Sequence, residues 1–232
     1  MILYGRNPVR EALRAGRRPV HEAWATERVA REDWLAGVGD VHVASAEEIA
    51  LRCGSDSHQG VCARAGDYPY ADPRALLTGE EPLVVVLDEI QDPHNLGAIC
   101  RTAECAGAAG VVIPQRRAAE VTPAVAKASA GAVEHLPIAR VRNVADYLAQ
   151  AKDAGCWCYG AAAEAAVDYT RPDYTGGVVL VVGAEGKGLR PRVAAACDEI
   201  ISLPMRGRIS SLNVSAATSA LLYGILQRRE NA

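Results

Sequence analysis

The stretch LVVVLDEIQDPHNLGAICRTAECAG, Leu83 to Gly107, changes character twice. Its opening, Leu83–Asp88, is an unbroken apolar run, the mark of a strand buried on both faces as in parallel sheets. A turn of Asp, Pro, His and Asn follows, then a helical pattern expected from about Leu96 to Ala106. The same alternation continues downstream. GVVIP (110–114), CWCYGA (156–161), GVVLVVG (177–183) and the shorter EIISLP (199–204) read as strands. Residues 123–132 and 143–154 read as helices, and a closing helix runs from about Val214. Strand–helix alternation of this kind predicts a parallel α/β domain with helices on both faces. Taken alone it predicts an open doubly wound sheet, since threaded chains are rare.

Upstream lies a smaller α/β unit. Asn7–Pro8 starts a helix that Gly16 stops, PVHEAWA, VHVA and QGVCARAG are strands, and Ser45 with Glu48 makes a capping box. DYPYADPRALLTGEEP holds three prolines and no sustained period. The expected division is therefore residues 1–66, a linker at 67–81, and a larger domain at 82–232.

Composition narrows the function. Half of the 232 residues are hydrophobic, which suits a packed globular chain. No apolar run is long enough for a membrane span, and the N-terminus lacks the apolar core of a secretory signal. Seven cysteines show neither a C-x-x-C pair nor metal-ligand spacing, so reduced, mostly buried thiols and no metal site are expected. The net charge of −3 excludes a general polyanion trap. Arginine outnumbers lysine 22 to 3, with five arginines among residues 1–20 and the pairs Arg116/Arg117, Arg206/Arg208 and Arg228/Arg229. Forked phosphate recognition or a GC-rich genome would each produce that bias.

Three loops leave strand ends, where ligands of α/β sheets sit. In the first, Asn95 is either a helix cap or a ligand group, and Arg101, on a helix of small apolar residues, is either an anion site or a surface charge. In the second, VVLVVGAEGKGLRPRV, glycines 183, 186 and 188 follow a buried strand. Its spacing matches neither a Walker loop nor the dinucleotide fingerprint, and Glu185 is either a solvated charge or a site residue. In the third, GRISSLNVSAATSALLYGIL (207–226), the residues Val214, Ala217, Thr218, Leu221, Leu222 and Ile225 form one buried helical face. Asn213 or Ser211 suffices as its cap. With Ser210 there are three polar residues, more than capping requires, so this helix start is expected to face a ligand.

Together, DPHNLGAICRTAECAG, VVGAEGKGL and ISLPMRGRISSLNVSAATSALLY resemble the three ordered motifs of the SpoU branch of the SPOUT superfamily. These are S-adenosylmethionine-dependent RNA 2′-O-ribose methyltransferases. The resemblance covers about residues 82–230, while YGRNPVREAL and HQGVCARA resemble the substrate-binding domain of the ribosomal-RNA members. It implies an α/β-knot domain with a deep trefoil knot, preceded by a small L30e-like α/β domain. It also implies a cytoplasmic homodimer with its active site near the subunit interface, acting most like a bacterial 23S rRNA guanosine-2′-O-methyltransferase. By motif position the family's catalytic polar residues fall on Asn95, Arg101, Glu185, Ser211 and Asn213. The cofactor contacts fall on Gly183, Ala184, Gly186, Leu203, Met205, Leu212 and Ser215.

The implied reaction requires a ribose oxygen to attack a sulfonium methyl, with help in losing its proton. Family proposals make the arginine the base. A guanidinium holds its proton firmly, so the first expectation is that Arg101 binds phosphate and steadies alkoxide charge, with the role of base as the alternative. The rival expectations are a tRNA ribose, a ribosomal adenosine of the antibiotic-resistance type, or a non-catalytic RNA-binding protein. A nicotinamide oxidoreductase lacks its glycine fingerprint here.

Overall fold

The computed structural model describes residues 1–231. Packing divides the chain into two units: residues 1–69 with 121–135, and residues 70–120 with 136–231.

The first unit contains β1 (Ile2–Tyr4), α1 (Arg6–Ala15), β2 (Val20–Ala25), α2 (Glu27–Ala30), β3 (Asp40–Val43), α3 (Ala46–Cys53) and β4 (Val61–Ala65). The sheet order is β1-β4-β2-β3, with only β2 and β3 parallel. Gly5, at φ +90, precedes α1, and Gly16 ends that helix in the left-handed region. Residues 123–132 form not one helix but α5 (Pro123–Ala128) and a short 3-10 turn, because Ala130 turns left-handed at φ +53. This segment belongs to the first unit through buried polar contacts. Glu134 is ion-paired with Arg18, both fully buried, and the Tyr68 hydroxyl donates to the Val133 carbonyl at 2.9 Å. Burying an ion pair is costly unless every lone pair and proton is used. Here Arg18 spends further protons on the Gly66 carbonyl.

The second unit is a sheet of seven strands, every pairing parallel. The strands are β5 (Leu83–Asp88), β6 (Gly110–Pro114), β7 (Ile138–Val141), β8 (Trp157–Ala161), β9 (Val167–Asp168), β10 (Val178–Gly183) and β11 (Glu199–Ser202). The helices are α4 (Pro93–Cys105), α6 (Val144–Asp153), α7 (Pro191–Ala194) and α8 (Val214–Glu230). Both apolar runs, β5 and β10, are buried at every position, as expected of central parallel strands. On one face Val84, Val86, Val179 and Val181 pack with Tyr147, Leu148, Cys156 and Cys158.

The strand order is β7-β6-β5-β10-β8-β11-β9. This is not the open doubly wound sheet that alternation alone predicts. Strand β10 enters the slot between β5 and β8, both laid down earlier in the chain. After β11, outside β8, the chain returns to place α8 against α4 and β10. Side-chain periodicity says which faces are buried, not which slot a strand fills.

Candidate active site

Loops beyond the carboxyl ends of β8, β10 and β11 line a cavity of about 580 Å³ together with the segment leading into α8. Gly183 closes β10 beside Asp88 of β5. A Cβ at this glycine would overlap the Gly188 carbonyl and the Leu189 amide, main-chain atoms that cannot swing aside. The turn beyond is closed by the Gly188 amide donating to the Ala184 carbonyl at 2.8 Å, with Gly186 at φ +74. Only glycine adopts that backbone without strain. Buried Asp88 fastens the far side of the turn, accepting from the Arg190 amide at 2.9 Å and its Nε at 2.8 Å. That carboxylate raises the Arg190 guanidinium above its ordinary value.

Asn213 is the cap of α8. Its Oδ1 accepts from the Ser215 amide at 2.9 Å, the Ala216 amide at 3.4 Å and the Ser215 hydroxyl at 2.6 Å. The other end of the same amide leaves the helix. Its Nδ2 donates to Glu185 Oε1 at 2.7 Å and to Asn95 Oδ1 at 3.0 Å. Asn95 Nδ2 and the Val214 amide also donate to Glu185 Oε1, each at 3.3 Å. One carboxylate oxygen thus joins all three loops at a helix N-terminus, where free amides and the helix dipole favour an anion. Glu185 is not a free loop charge.

Asn95 is not a cap either. Helix α4 begins at Pro93, earlier than the expected Leu96, and Asp92 caps it by accepting from the His94 amide at 2.8 Å. The Asp-Pro pair is itself a start signal. It frees Asn95, buried in the first turn, to reach Glu185 and Asn213. A second cavity of about 260 Å³ is lined by residues 89–92, Asn95, Ala184, Glu185, Lys187 and Val214. Ala184, Glu185 and Val214 border both cavities.

Gly183, Ala184, Gly186, Leu203, Met205 and Leu212 all line the larger cavity, with Glu185, Ser211 and Asn213. Ser215 does not, because its hydroxyl turns back onto Asn213. Arg101 borders neither cavity. It is exposed on α4 and makes no hydrogen bond or ion pair among the described residues. The Asp88–Arg190 clasp was not anticipated, although an acid ending an apolar strand was a visible signal. No cluster among the described residues could hold a metal ion, and no helix is long and apolar enough to cross a membrane.

The model of the SpoU rRNA Methylase family matches residues 82–223. The chain belongs to that family. A second model, RNA 2′-O ribose methyltransferase substrate binding, matches residues 2–71. YacO of Bacillus subtilis, assigned by name to the TrmH family of tRNA/rRNA methyltransferases, is 38% identical over 239 residues, 97% of this chain and 94% of YacO. A Staphylococcus saprophyticus protein of the same assignment is 36% identical over 240 residues, 99% and 96% of the two chains. Among solved structures, the SpoU methyltransferase AviRb from Streptomyces viridochromogenes, in complex with the cofactor AdoMet, superposes with a TM-score of 0.86 at 27% identity. The match covers 100% of this chain and 91% of AviRb. The AdoMet-bound rRNA methyltransferase from Sinorhizobium meliloti gives 0.81 at 28% identity, over 98% of this chain and 87% of that one. This SpoU chain is an RNA methyltransferase, and its fold is the α/β-knot fold of the SPOUT enzymes. The inserted β10 and the returning α8 are that fold's departures from a doubly wound sheet.

Proposed function

We propose that this protein methylates the 2′-hydroxyl of an RNA ribose, that of a guanosine in 23S rRNA, using S-adenosylmethionine and working as a cytoplasmic homodimer. The observation that carries the reading is the Glu185 oxygen binding Asn95, Asn213 and the start of α8 at the border of two cavities. The name of the N-terminal family model supports the ribose, and the AdoMet in two structural neighbours supports the cofactor.

The residues present fit that cofactor. Leu203, Met205, Leu212 and Leu221 offer the larger cavity an apolar wall, and the backbone of residues 183–186 offers donors and acceptors. Such a mixture suits a nucleoside ligand. The Ser210 and Ser211 hydroxyls line the same cavity with no partner among the described residues. S-adenosylmethionine, when bound there, supplies a methyl group activated on sulfonium.

The remaining work falls to side chains. Glu185 spends Oε1 on three donors, which leaves Oε2 to accept from a hydroxyl at the border of the cavities. The two asparagines hold that carboxylate in one orientation, so no reorganisation accompanies reaction. Arg101, exposed and without a partner among the described residues, is read as meeting RNA phosphate at a site completed by the second subunit.

The N-terminal unit favours ribosomal RNA. Likeness to the S. meliloti rRNA enzyme extends over 98% of this chain. Likeness to the A. aeolicus TrmH/SpoU tRNA modifying enzyme covers 68%, with a TM-score of 0.58 at 30% identity. The relatives' joint tRNA/rRNA assignment keeps tRNA as the second reading. Mapping ribose methylation in RNA from cells with and without the protein tests both. Loss of one 2′-O-methylguanosine from 23S rRNA is expected. Loss from tRNA alone moves the reading to tRNA, and loss of a base methyl overturns the ribose.

A further inference from the structure

The turn that follows β10 faces the larger cavity, yet little packing holds it. Residues 185–188 are exposed, and Gly186 and Gly188 sit at φ +74 and +65. Glycine loses the most backbone freedom on becoming ordered, so a turn of this composition does not fix itself. Leu189 reaches the apolar core below, and Glu185 is tied to the two asparagines.

Both legs of the turn come back to one residue, Asp88, at the end of the central strand β5. The outgoing leg starts at Gly183, the partner of Asp88 in the sheet register. The returning leg ends at Arg190, whose amide donates to Asp88 Oδ2 at 2.9 Å and whose Nε donates to Oδ1 at 2.8 Å. Arg190 Nη2 lies 2.5 Å from the same Oδ1, and the Asp88 side chain is fully buried. A buried carboxylate is costly, and these charge-assisted contacts offset the cost only while Arg190 stays in place.

Glu89 brings a second carboxylate to the same guanidinium. Continuing β5 would turn its side chain to the opposite face. Instead Glu89 sits at φ +64, and its Oε1 lies 3.4 Å from Arg190 Nη1. Arg117, itself left-handed at φ +57, closes the other side at 3.7 Å. Two non-glycine residues held in that strained region meet at one cluster, which points to a use for it. Two acids against two arginines leave the cluster formally neutral, so it suits fastening a loop better than binding an ion.

We propose that Arg190 is a positioning residue for the cofactor: clasped by Asp88 and Glu89, it holds residues 184–189 in their binding geometry before S-adenosylmethionine arrives. The inference rests on the methyltransferase reading above and concerns affinity, since Arg190 lines neither cavity. A ligand that must order its own site binds more weakly, by the fraction of molecules already competent. Once it is bound the turn is ordered in either case, so turnover at saturation is left alone.

The test compares wild type with Arg190→Gln and Arg190→Lys. The Arg190 side chain is half-exposed, so neither change opens a cavity in the core. Calorimetry with S-adenosylhomocysteine should show affinity about tenfold lower in Arg190→Gln, the value of one charge-assisted contact. Arg190→Lys should lose less, because its ammonium keeps the charge but not the fork. In methyl transfer to a 23S rRNA transcript, KM for S-adenosylmethionine should rise about tenfold in Arg190→Gln with kcat within about threefold of wild type. Unchanged affinity in Arg190→Gln overturns the proposal, whatever happens to its melting midpoint. A kcat that falls as far as the affinity also overturns it, by placing Arg190 among the reacting groups. Wild type that does not bind S-adenosylhomocysteine overturns the cofactor reading and this inference with it. Wild type that binds it but leaves the transcript unmethylated overturns the ribosomal reading alone, and the calorimetry still decides the role of Arg190.

Discussion

At the start of α3, the Ser45 hydroxyl accepts from the Glu48 amide at 3.2 Å, and Glu48 Oε2 accepts from the Ser45 amide at 2.8 Å. Every polar group there is spent on the helix itself. At the start of α8, Asn213 spends one end of its amide on the helix and the other on Glu185 and Asn95. The Ser210 and Ser211 hydroxyls beside it have no partner among the described residues. The same chemistry gives a closed cap in one place and an open one in the other. The teaching is that a surplus of polar groups over what capping consumes marks a ligand site, even where each residue is an ordinary cap former.

The sharpest way to break this contrast lies on the open side. Arg101→Ala should lower kcat by about 100- to 1,000-fold, the loss expected from removing one donor to developing charge. Its thermal midpoint should not move, since the side chain is exposed and has no partner among the described residues. Steady-state methyl transfer beside a melting curve reads both, and a drop in midpoint would reassign Arg101 to structure. Next in size is Gly183→Ala. Its methyl meets main chain at Gly188 and Leu189, so a stability loss of about 1–3 kcal/mol is expected. Denaturant melts and S-adenosylhomocysteine titration should show stability and affinity falling together. A stable variant with full affinity would refute the tight bend.

The two caps themselves should cost alike. Ser45→Ala and Asn213→Ala should each lower stability by about 1 kcal/mol. For a chain of this size that is about 2–4 °C in thermal midpoint. A much larger loss for Asn213→Ala would show the network to be a folding element first.

The smallest effect is one of pH and belongs to neither cap. Burial pushes the Cys62 thiol up to about 11, and Cys100 and Cys158 to about 12, from an ordinary 9.0. The native state therefore keeps protons that the unfolded chain gives up. The contribution of these thiols should be level below about pH 9 and fall between about 9 and 12. Replacing Cys100 with serine, which does not ionise there, should soften that fall in urea melts taken across the range.

How much of this was legible beforehand follows from where each signal lies. Strands β5 and β10 are continuous apolar runs and were plain, as was the apolar face of α8. Strand β1 at the terminus and β7, which carries Arg140, were too short or too polar to register. The slot that β10 fills was not legible from hydropathy, because strands buried on both faces read alike wherever they lie. Motif order, matched to the SpoU family, carried that information instead. Within the site, Asn95 and Glu185 stand 90 residues apart and Glu185 and Asn213 stand 28 apart, so no local pattern announces their meeting.

Calorimetric titration of S-adenosylhomocysteine into wild type, Asn213→Ala and Ser45→Ala tests most directly whether the open cap is also a ligand site. The expected result is one site per chain in wild type and in Ser45→Ala with equal affinity, and binding weakened about tenfold or more in Asn213→Ala. Equal affinity in all three proteins would contradict it, and would leave the start of α8 a cap and nothing more.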